Sequence, residues 1–162
     1  MFSIRKATAG DIPLIRELCF KVWPQTYASI LTQQQIDYML DRMYSPASLQ
    51  KQMDAGSQFI FVYEEKEPVG FAAYFEKSPS IFKLDKIYVL RSQQGKGTGR
   101  FMIDHIIDEI KRKGANALQL QVNRDNDAKR FYEKLGFVVI DEKDVDIGNG
   151  YFMNDYVMER RL

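Results

Sequence analysis

The sequence is poor in the residues that form metal centres and covalent cross-links. Cysteine and histidine each occur once among 162 residues. A lone cysteine cannot form an internal disulfide, and Cys19 stands at helical spacing with Ile15 and Val22, so we expect a buried core residue rather than a nucleophile. His105 falls on the exposed or flanking side of an amphipathic segment, where we expect a solvated helix residue.

An excess of charge and long apolar runs are also missing. Lys and Arg total 23 against 22 Asp and Glu, a balance that argues against a general nucleic-acid binder. No apolar run is as long as a transmembrane helix, and Met1-Phe2-Ser3-Ile4-Arg5 lacks the charged-then-apolar order of a signal peptide. We therefore expect a cytoplasmic protein with no nucleic-acid or membrane partner.

The residues that are present suffice for a folded core. Apolar residues make up 45% of the chain and aromatic residues 13%. No internal repeat, low-complexity tract or linker divides the sequence. We predict a single domain over residues 1–162.

Hydrophobic periodicity predicts an α/β order of elements in the first half of the chain. The first helix should end at Val22, because the residue before Pro24 is pushed out of the α region. The predicted elements are a strand over 2–8, a helix over 11–22, a helix capped by Thr32, a short helix after Ser45-Pro46, and strands over 59–63, 69–75 and 81–90.

The second half predicts alternating helices and strands. A long amphipathic helix places four isoleucines at core spacing before Gly114 closes it. The elements that follow are a strand over 117–122, a helix over 126–135 and two final strands over 137–140 and 151–160.

The junction between strand 81–90 and this long helix is rich in glycine. It reads Gln94-Gly95-Lys96-Gly97-Thr98-Gly99-Arg100. Glycine lets backbone approach a ligand closely, and the free N–H groups of a helix's first turn attract anions, so the segment predicts a phosphate-binding loop. The spacing does not fit a Walker A motif, because Gly97 follows Lys96, and it fits the dinucleotide fingerprint poorly, because Met102 stands where a small residue is needed.

The pattern that does match is Gln-x-x-Gly-x-Gly, and a second segment supports it. Asn126 to Phe137 looks like the segment Asn-x-x-Ala-x-x-Phe-Tyr-x-x-x-Gly-Phe, with one residue fewer between Asn126 and Ala128, and it lies at the usual distance from the first. Together the two segments resemble the GNAT superfamily of N-acetyltransferases, over nearly the whole chain. The resemblance implies the GNAT fold, a mixed and mostly antiparallel twisted sheet of about seven strands flanked by about four to five helices, and acetyl-CoA as acetyl donor with no metal.

The resemblance also implies a set of residues that bind coenzyme A. Backbone N–H groups from Gly95 to Arg100 would hold the pyrophosphate, with Lys96 and Arg100 adding positive charge, while Asn126 would either contact the pantetheine arm or cap its own helix. Tyr88 and Val89 would lend main-chain groups to pantetheine. The expected cofactor-binding residues are Tyr88, Val89, Gln94, Gly95, Lys96, Gly97, Thr98, Gly99, Arg100, Asn126 and Ala128.

Two catalytic roles follow from the same resemblance and from proton chemistry. Tyr132 would protonate the departing thiolate, unless it is an aromatic packed on the sheet as we expect for Phe131. An alkylammonium must lose a proton before it can attack, so a general base is needed. We expect residues 83, 85, 87 and 89 to share one strand face, and Asp85, as the only carboxylate among them, is the first candidate for this base. The plain alternative is that Asp85 forms an ion pair with Lys83 or Lys86. Glu76 is the second candidate for the base.

The acceptor pocket is the least determined part of the sequence. Trp23 and Tyr27 are the expected substrate-binding residues, in a stretch that resembles bacterial members related to the polyamine-acetylating PaiA type, although an aromatic core is an equally good interpretation. A small amine is the expected acceptor. The alternative acceptor is a protein or peptide amine. The alternative functions are a non-catalytic coenzyme A sensor and, outside this family, an ATP-binding hydrolase or kinase. The apolar alternation at Tyr151-Phe152 suits a homodimer or an internal hairpin.

Overall fold

The structure is a computed structural model that describes residues 1–162. Seven strands form one sheet, and helices cover both of its faces. In chain order the elements are β1 (Phe2–Lys6), α1 (Ile12–Tyr27), α2 (Gln33–Tyr44), α3 (Pro46–Asp54), β2 (Gln58–Glu64), β3 (Glu67–Ser78), β4 (Ile81–Val89), α4 (Thr98–Arg112), β5 (Ala117–Asn123), α5 (Ala128–Lys134), β6 (Val138–Gly148) and β7 (Tyr151–Arg161). None of the helices is long and apolar enough to span a bilayer.

The sheet order is β1-β2-β3-β4-β5-β7-β6, and every neighbouring pair is antiparallel except β4 and β5. The parallel pair is joined only from Ile81–Leu84 to Ala117–Leu120. Beyond these residues β4 runs on to Val89 and β5 to Asn123 without pairing with each other. The two strands therefore separate inside the sheet, and the gap between them positions the candidate site.

Two apolar clusters hold the layers together. One packs α4 and α5 against one face of the sheet, with the isoleucines of α4 buried as their spacing predicts. The other packs α1, α2 and α3 against the opposite face, and it includes Cys19, which is buried as expected. Thr32 caps α2 by accepting a hydrogen bond from the Gln35 amide, also as expected.

The prediction that α1 ends at Val22 is wrong. The helix continues through Pro24 to Tyr27. Because proline lacks an N–H, the carbonyl of Phe20 has no helical partner, but Phe20 lies on an exposed part of the helix. The residue before the proline, Trp23, is buried, with 2% of its surface exposed. Packing of Trp23 thus outweighs the local preference, and it places Trp23 and Tyr27 on the same helix face.

The prediction that residues 83, 85, 87 and 89 share one strand face is also wrong. Lys86 lies opposite Ala73 and Leu84 opposite Tyr74, so Asp85 is an extra residue in a β-bulge. Ahead of the bulge the even-numbered Leu84 packs on the α4 side of the sheet, whereas after it the odd-numbered Ile87 does. The bulge turns Asp85 and Lys86 toward the α1–α3 side.

The final strands differ from expectation in length and pairing. The strand predicted over 137–140 extends from Val138 to Gly148, and the second ends at Arg161. Strand β7 is paired with β5 on one side and with β6 on the other. The alternation at Tyr151-Phe152 is therefore part of an internal hairpin, in which Tyr151 lies opposite Gly148 and Phe152 opposite Asp146.

Candidate functional site

A cavity of about 980 Å³ opens where β4 and β5 separate. Its walls come from the ends of both strands, the glycine loop before α4, the start of α5, and, on the other side of the sheet, α1, α2 and the β6–β7 hairpin. The cavity therefore passes through the sheet and joins the two motif segments to the helices near the N-terminus.

The glycine loop ends the cavity on the α4 side. Gly95 and Gly97 have φ angles of 81° and 80°, a left-handed conformation that other residues adopt at a cost. Gly97 is the N-cap of α4, and the amides of Thr98, Gly99 and Arg100 donate to no protein acceptor. These free N–H groups and the positive end of the helix dipole are suited to an anion, the ligand that the sequence predicts for this loop.

Two predicted loop residues do not direct their side chains into the cavity. The Lys96 ammonium pairs with Glu64 of β2 at 3.3 Å, and the Thr98 side chain is buried, where it donates to Oε1 of Gln93 at 2.9 Å. Gln93 is itself 4% exposed and donates to Glu64, so it ties the loop to the sheet. Sequence reasoning missed Gln93, and only its place before the glycine run could have drawn attention to it.

The rest of the loop does face the cavity. Gln94, Gly95, Gly97, Gly99 and Arg100 all line it. Arg100 is exposed and lies 3.9 Å from Asp104 one turn along α4, so its guanidinium is not held in a buried ion pair.

Tyr88 and Val89 lie on the part of β4 that has left β5. On one side their backbones pair with Phe71 and Gly70 of β3, while the side toward β5 has no strand partner. A Cβ at Gly70 would lie 2.7 Å from the Tyr88 carbonyl oxygen, so glycine permits this close strand contact. The unpaired edge of β4 can bind an extended ligand as an added strand.

Asn126 and Ala128 lie at the start of α5, across the gap from Tyr88. The side-chain oxygen of Asn126 accepts a hydrogen bond from the Ala128 amide at 2.9 Å. Asn126 was expected to cap α5, but the N-cap is Asp127, and the Asn126 side chain instead closes a turn on the first residue of the helix. Its side-chain nitrogen donates to no protein group and lines the cavity, so it remains available to a ligand.

Tyr132 lines the cavity, as its proposed role requires, but Phe131 does not occupy the core as we expected. Tyr132 is 8% exposed and belongs to the core that lines the cavity, while Phe131 is 36% exposed and lies against Gly99, where a Cβ would come within 3.0 Å of its ring. Burial raises the pKa of the Tyr132 phenol above its usual value. The phenol therefore keeps its proton at neutral pH.

Trp23 and Tyr27 form an aromatic cluster on the α1 wall of the cavity. Their ring centroids lie 4.5 Å apart, and Trp23 also contacts the rings of Tyr44 and Tyr88. Burial raises the pKa of Tyr27 to about 12. Both predicted residues line the cavity, and Tyr44 lines it with them. Tyr38, on the same helix as Tyr44, lies outside the cavity, where it packs on Tyr151 and donates a hydrogen bond to the Ile147 carbonyl.

A charged cluster lies where β4 and β5 begin to separate. The Asp85 carboxylate lies 2.7 Å from the Lys86 ammonium and 3.8 Å from that of Lys83. Lys83 donates to the side-chain oxygen of Gln121 at 2.9 Å, and the Gln121 nitrogen donates to Asp155 at 3.3 Å. All five residues line the cavity.

Burial shifts two members of this cluster in opposite directions. It raises the pKa of Asp155 and lowers that of Lys83, because each group loses hydration of its charged form. Sequence reasoning missed Gln121 and Asp155. The available signal was that Asp155 falls in the apolar phase of β7, with Met153 and Val157.

Three other residues considered in the sequence lie outside the cavity. Glu76 is exposed near the end of β3, and His105 is half-buried on α4. Burial raises the pKa of the Cys19 thiol to about 12, which leaves it protonated and unreactive.

Comparisons with known proteins agree with this geometry. The family described as acetyltransferase (GNAT) domain matches residues 27–159. A spermidine N(1)-acetyltransferase of Thermoplasma acidophilum is 24% identical over 98% of this chain and 96% of its own length. A ribosomal protein bS18 alanine N-acetyltransferase of Haemophilus influenzae is 36% identical over 69 residues, which cover 43% of this chain and 44% of that relative. A crystal structure of PaiA N-acetyltransferase from Thermoplasma acidophilum in complex with coenzyme A has a TM-score of 0.84 at 23% identity, over 100% of this chain and 99% of the other.

Proposed function

The chain belongs to the GNAT acetyltransferase family, and from this premise we propose that it transfers the acetyl group of acetyl-CoA to a primary amine of a small molecule. The resemblance and the fold inferred from the two sequence motifs are confirmed. Direct attack of the amine on the donor, with both substrates bound together, suits a cavity that opens on both faces of the sheet.

The residues of the cavity fit coenzyme A. The free amides of Thr98, Gly99 and Arg100 are suited to the pyrophosphate, and the exposed Arg100 side chain adds positive charge. The unpaired edge of β4 at Tyr88 and Val89, together with the Asn126 amide, is suited to the pantetheine arm. When bound, acetyl-CoA supplies an activated acetyl group on a sulfur that leaves as a thiolate. The proposal rests on one observation: the cavity in the gap between the parallel strands β4 and β5 is closed at one end by the N-terminus of α4.

Tyr132 is the proposed proton donor. Its phenol lines the cavity and holds its proton at neutral pH, because burial raises its pKa. A general acid must be protonated before it acts, and this environment meets that requirement. Tyr132 would give its proton to the sulfur as the carbon–sulfur bond breaks and regain one from the nitrogen that has formed the amide.

The acceptor must also lose a proton before it attacks, because an alkylammonium has no lone pair. We propose that this proton passes to a carboxylate of the charged cluster, directly or through water, and then to solvent. Asp85 and Asp155 are the two carboxylates of that cluster. Each turnover of an ammonium substrate would thus release one proton.

The small-molecule acceptor is supported by the spermidine N(1)-acetyltransferase, which aligns over nearly the whole chain. The bS18 alanine N-acetyltransferase supports the runner-up, a protein or peptide amine, over a shorter match. A coenzyme A sensor without activity is a third possibility. Dependence on acetyl-CoA leads us to propose a cytoplasmic location, and the resemblance to bacterial members of the PaiA type leads us to propose a bacterial source.

Thiol release from acetyl-CoA tests the proposal. The purified chain is incubated with acetyl-CoA and a panel of polyamines, aminoglycosides, amino acids, simple amines and peptides. Release with a free small amine is the expected result, while release with peptides alone would favour the runner-up. Acetyl-CoA should raise the melting temperature and ATP should not. Protection by ATP alone, with no release from any amine, would contradict the proposal.

A further inference from the structure

The part of the cavity between α1, α2 and the β6–β7 hairpin, here called the acceptor arm, is apolar. Its walls are formed by Val22, Leu31, Met39, Met43, Val145 and Met153. Thr26 and Gln35 are the polar side chains of the arm, and both already donate hydrogen bonds, to the Val22 and Phe152 carbonyls respectively. The arm therefore offers a ligand an apolar surface without charge.

Asp155 lies at the inner end of this arm, and the other carboxylate of the charged cluster, Asp85, is already paired with Lys83 and Lys86. Asp155 follows Met153 by two residues on β7, so both side chains are on the same strand face, roughly 7 Å apart along the strand. Val145 of β6 lies directly opposite Met153 and extends the same wall. The hairpin thus leads from an apolar surface to one acidic group.

Asp155 is held in place and only partly satisfied. It is 2% exposed, and one of its carboxylate oxygens accepts from the Gln121 side-chain nitrogen at 3.3 Å. Lys83 donates to the other end of the Gln121 amide, which fixes the direction of that amide. The second carboxylate oxygen accepts no hydrogen bond from the protein. A buried, cavity-lining carboxylate with a free oxygen is a suitable partner for an ammonium group.

We propose that the acceptor is an amine with one ammonium group on an apolar body, in which Asp155 receives the ammonium and the acceptor arm receives the body. The inference rests on the proposed acetyl transfer and names its substrate class. A polyamine fits less well, because its second ammonium would lie a short methylene chain away among Met153, Val145 and Met39, where no carboxylate compensates the lost hydration. Arylalkylamines and alkylamines meet both requirements.

Trp23 allows amine binding to be measured apart from turnover. It is the only tryptophan of the chain and lines the cavity beside the arm, so its fluorescence reports occupancy. Phenethylamine and hexylamine, each titrated in the presence of coenzyme A, should change this fluorescence at concentrations at least tenfold lower than putrescine or spermidine. The kcat/KM values for thiol release should follow the same order. Equal or tighter binding of spermidine would overturn the inference.

Two variants test the residues. Asp155→Asn should weaken phenethylamine binding at least tenfold and leave coenzyme A binding unchanged, whereas Asp141→Asn, an exposed carboxylate on the same hairpin, should change neither. Met153→Glu should improve spermidine relative to phenethylamine about tenfold. Unchanged amine binding in Asp155→Asn, or an unchanged ratio in Met153→Glu, contradicts the proposal. Coenzyme A binding by each variant shows that it is folded.

The two proposals can fail separately. If no amine releases thiol from acetyl-CoA, the proposed function fails, and the fluorescence titrations still decide which amines the arm binds. If polyamines are acetylated best, acetyl transfer stands and the inference on the acceptor fails.

Discussion

The phenol oxygens of Tyr27 and Tyr88 lie 3.0 Å apart, which joins the C-terminal end of α1 to the unpaired part of β4. Tyr27 reaches this position only because α1 continues through Pro24. The hydrogen bond therefore links the helix that forms the acceptor wall to the strand edge proposed to bind pantetheine.

Replacing Tyr27 by Phe should cost about 1 kcal/mol of the free energy of unfolding, because the Tyr88 hydroxyl loses its partner in a largely apolar site. The double variant Tyr27→Phe/Tyr88→Phe should be little less stable than either single variant, since no unpaired hydroxyl remains. Urea unfolding of the four proteins measures the difference. Additive losses would argue against a coupled pair.

Replacing Tyr132 by Phe should lower kcat for thiol release about 100-fold or more, because the proposed proton donor is removed. Binding of coenzyme A should change little. Tyr74→Phe provides the matched control, as Tyr74 is another buried tyrosine, 2% exposed, that does not line the cavity. Equal rates for Tyr132→Phe and the parent protein would remove Tyr132 from the mechanism.

Replacing Asp85 by Asn tests whether this residue balances charge or accepts a proton. Lys86 is 7% exposed and would lose its contact with an acidic group, so the free energy of unfolding should fall by about 3 kcal/mol. Adding Lys86→Met should restore most of that loss. A single variant that is as stable as the parent but inactive would instead support Asp85 as the base.

Gly97 should tolerate substitution according to backbone conformation rather than side-chain size. A Cβ there meets no atom within 4 Å, but φ is 80°. Gly97→Asn should therefore lose less stability than Gly97→Val, by about 1 kcal/mol, because asparagine adopts left-handed conformations more readily. Thermal unfolding provides the comparison. A valine variant as stable as the asparagine variant would show that the loop has relaxed.

The raised pKa of Asp155 gives a prediction for stability against pH. Burial makes the folded protein hold this proton to a higher pH than the unfolded chain does. The contribution of Asp155 to stability is thus fully present below the ordinary aspartate pKa of about 3.9 and is lost as pH rises through the folded value. Asp155→Asn removes that loss, so the variant should gain stability relative to the parent between about pH 4 and neutral pH. Urea midpoints across this range measure it, and a constant difference would contradict the prediction.

The parts of the site that could be predicted from sequence are those that depend on neighbouring residues. Gly97 begins α4 in a left-handed conformation that glycine adopts readily. The isoleucines of α4 face the core because a helix repeats every 3.6 residues. Thr32 caps α2 for an equally local reason. The two segments that carried the family resemblance are also short and local, and for this reason the fold and the acetyl donor could be predicted from them.

The parts that failed depend on packing or on pairing between distant segments. Pro24 lies inside α1 because Trp23 is buried, and no window around Pro24 contains that information. Phe131 and Tyr132 are adjacent, and which of them enters the core depends on where α5 meets Gly99. Gln121 and Asp155 are 34 residues apart and meet only through the pairing of β5 with β7.

The sequence by itself therefore determined the glycine loop, the helix that follows it and the family, since backbone conformation and helical periodicity are properties of short segments. Tertiary structure alone decided which charges reach the cavity. Side chains alternate with a period of two along a strand, so the one-residue bulge at Asp85 reverses the face of every residue after it, and that bulge exists only in the register between β3 and β4.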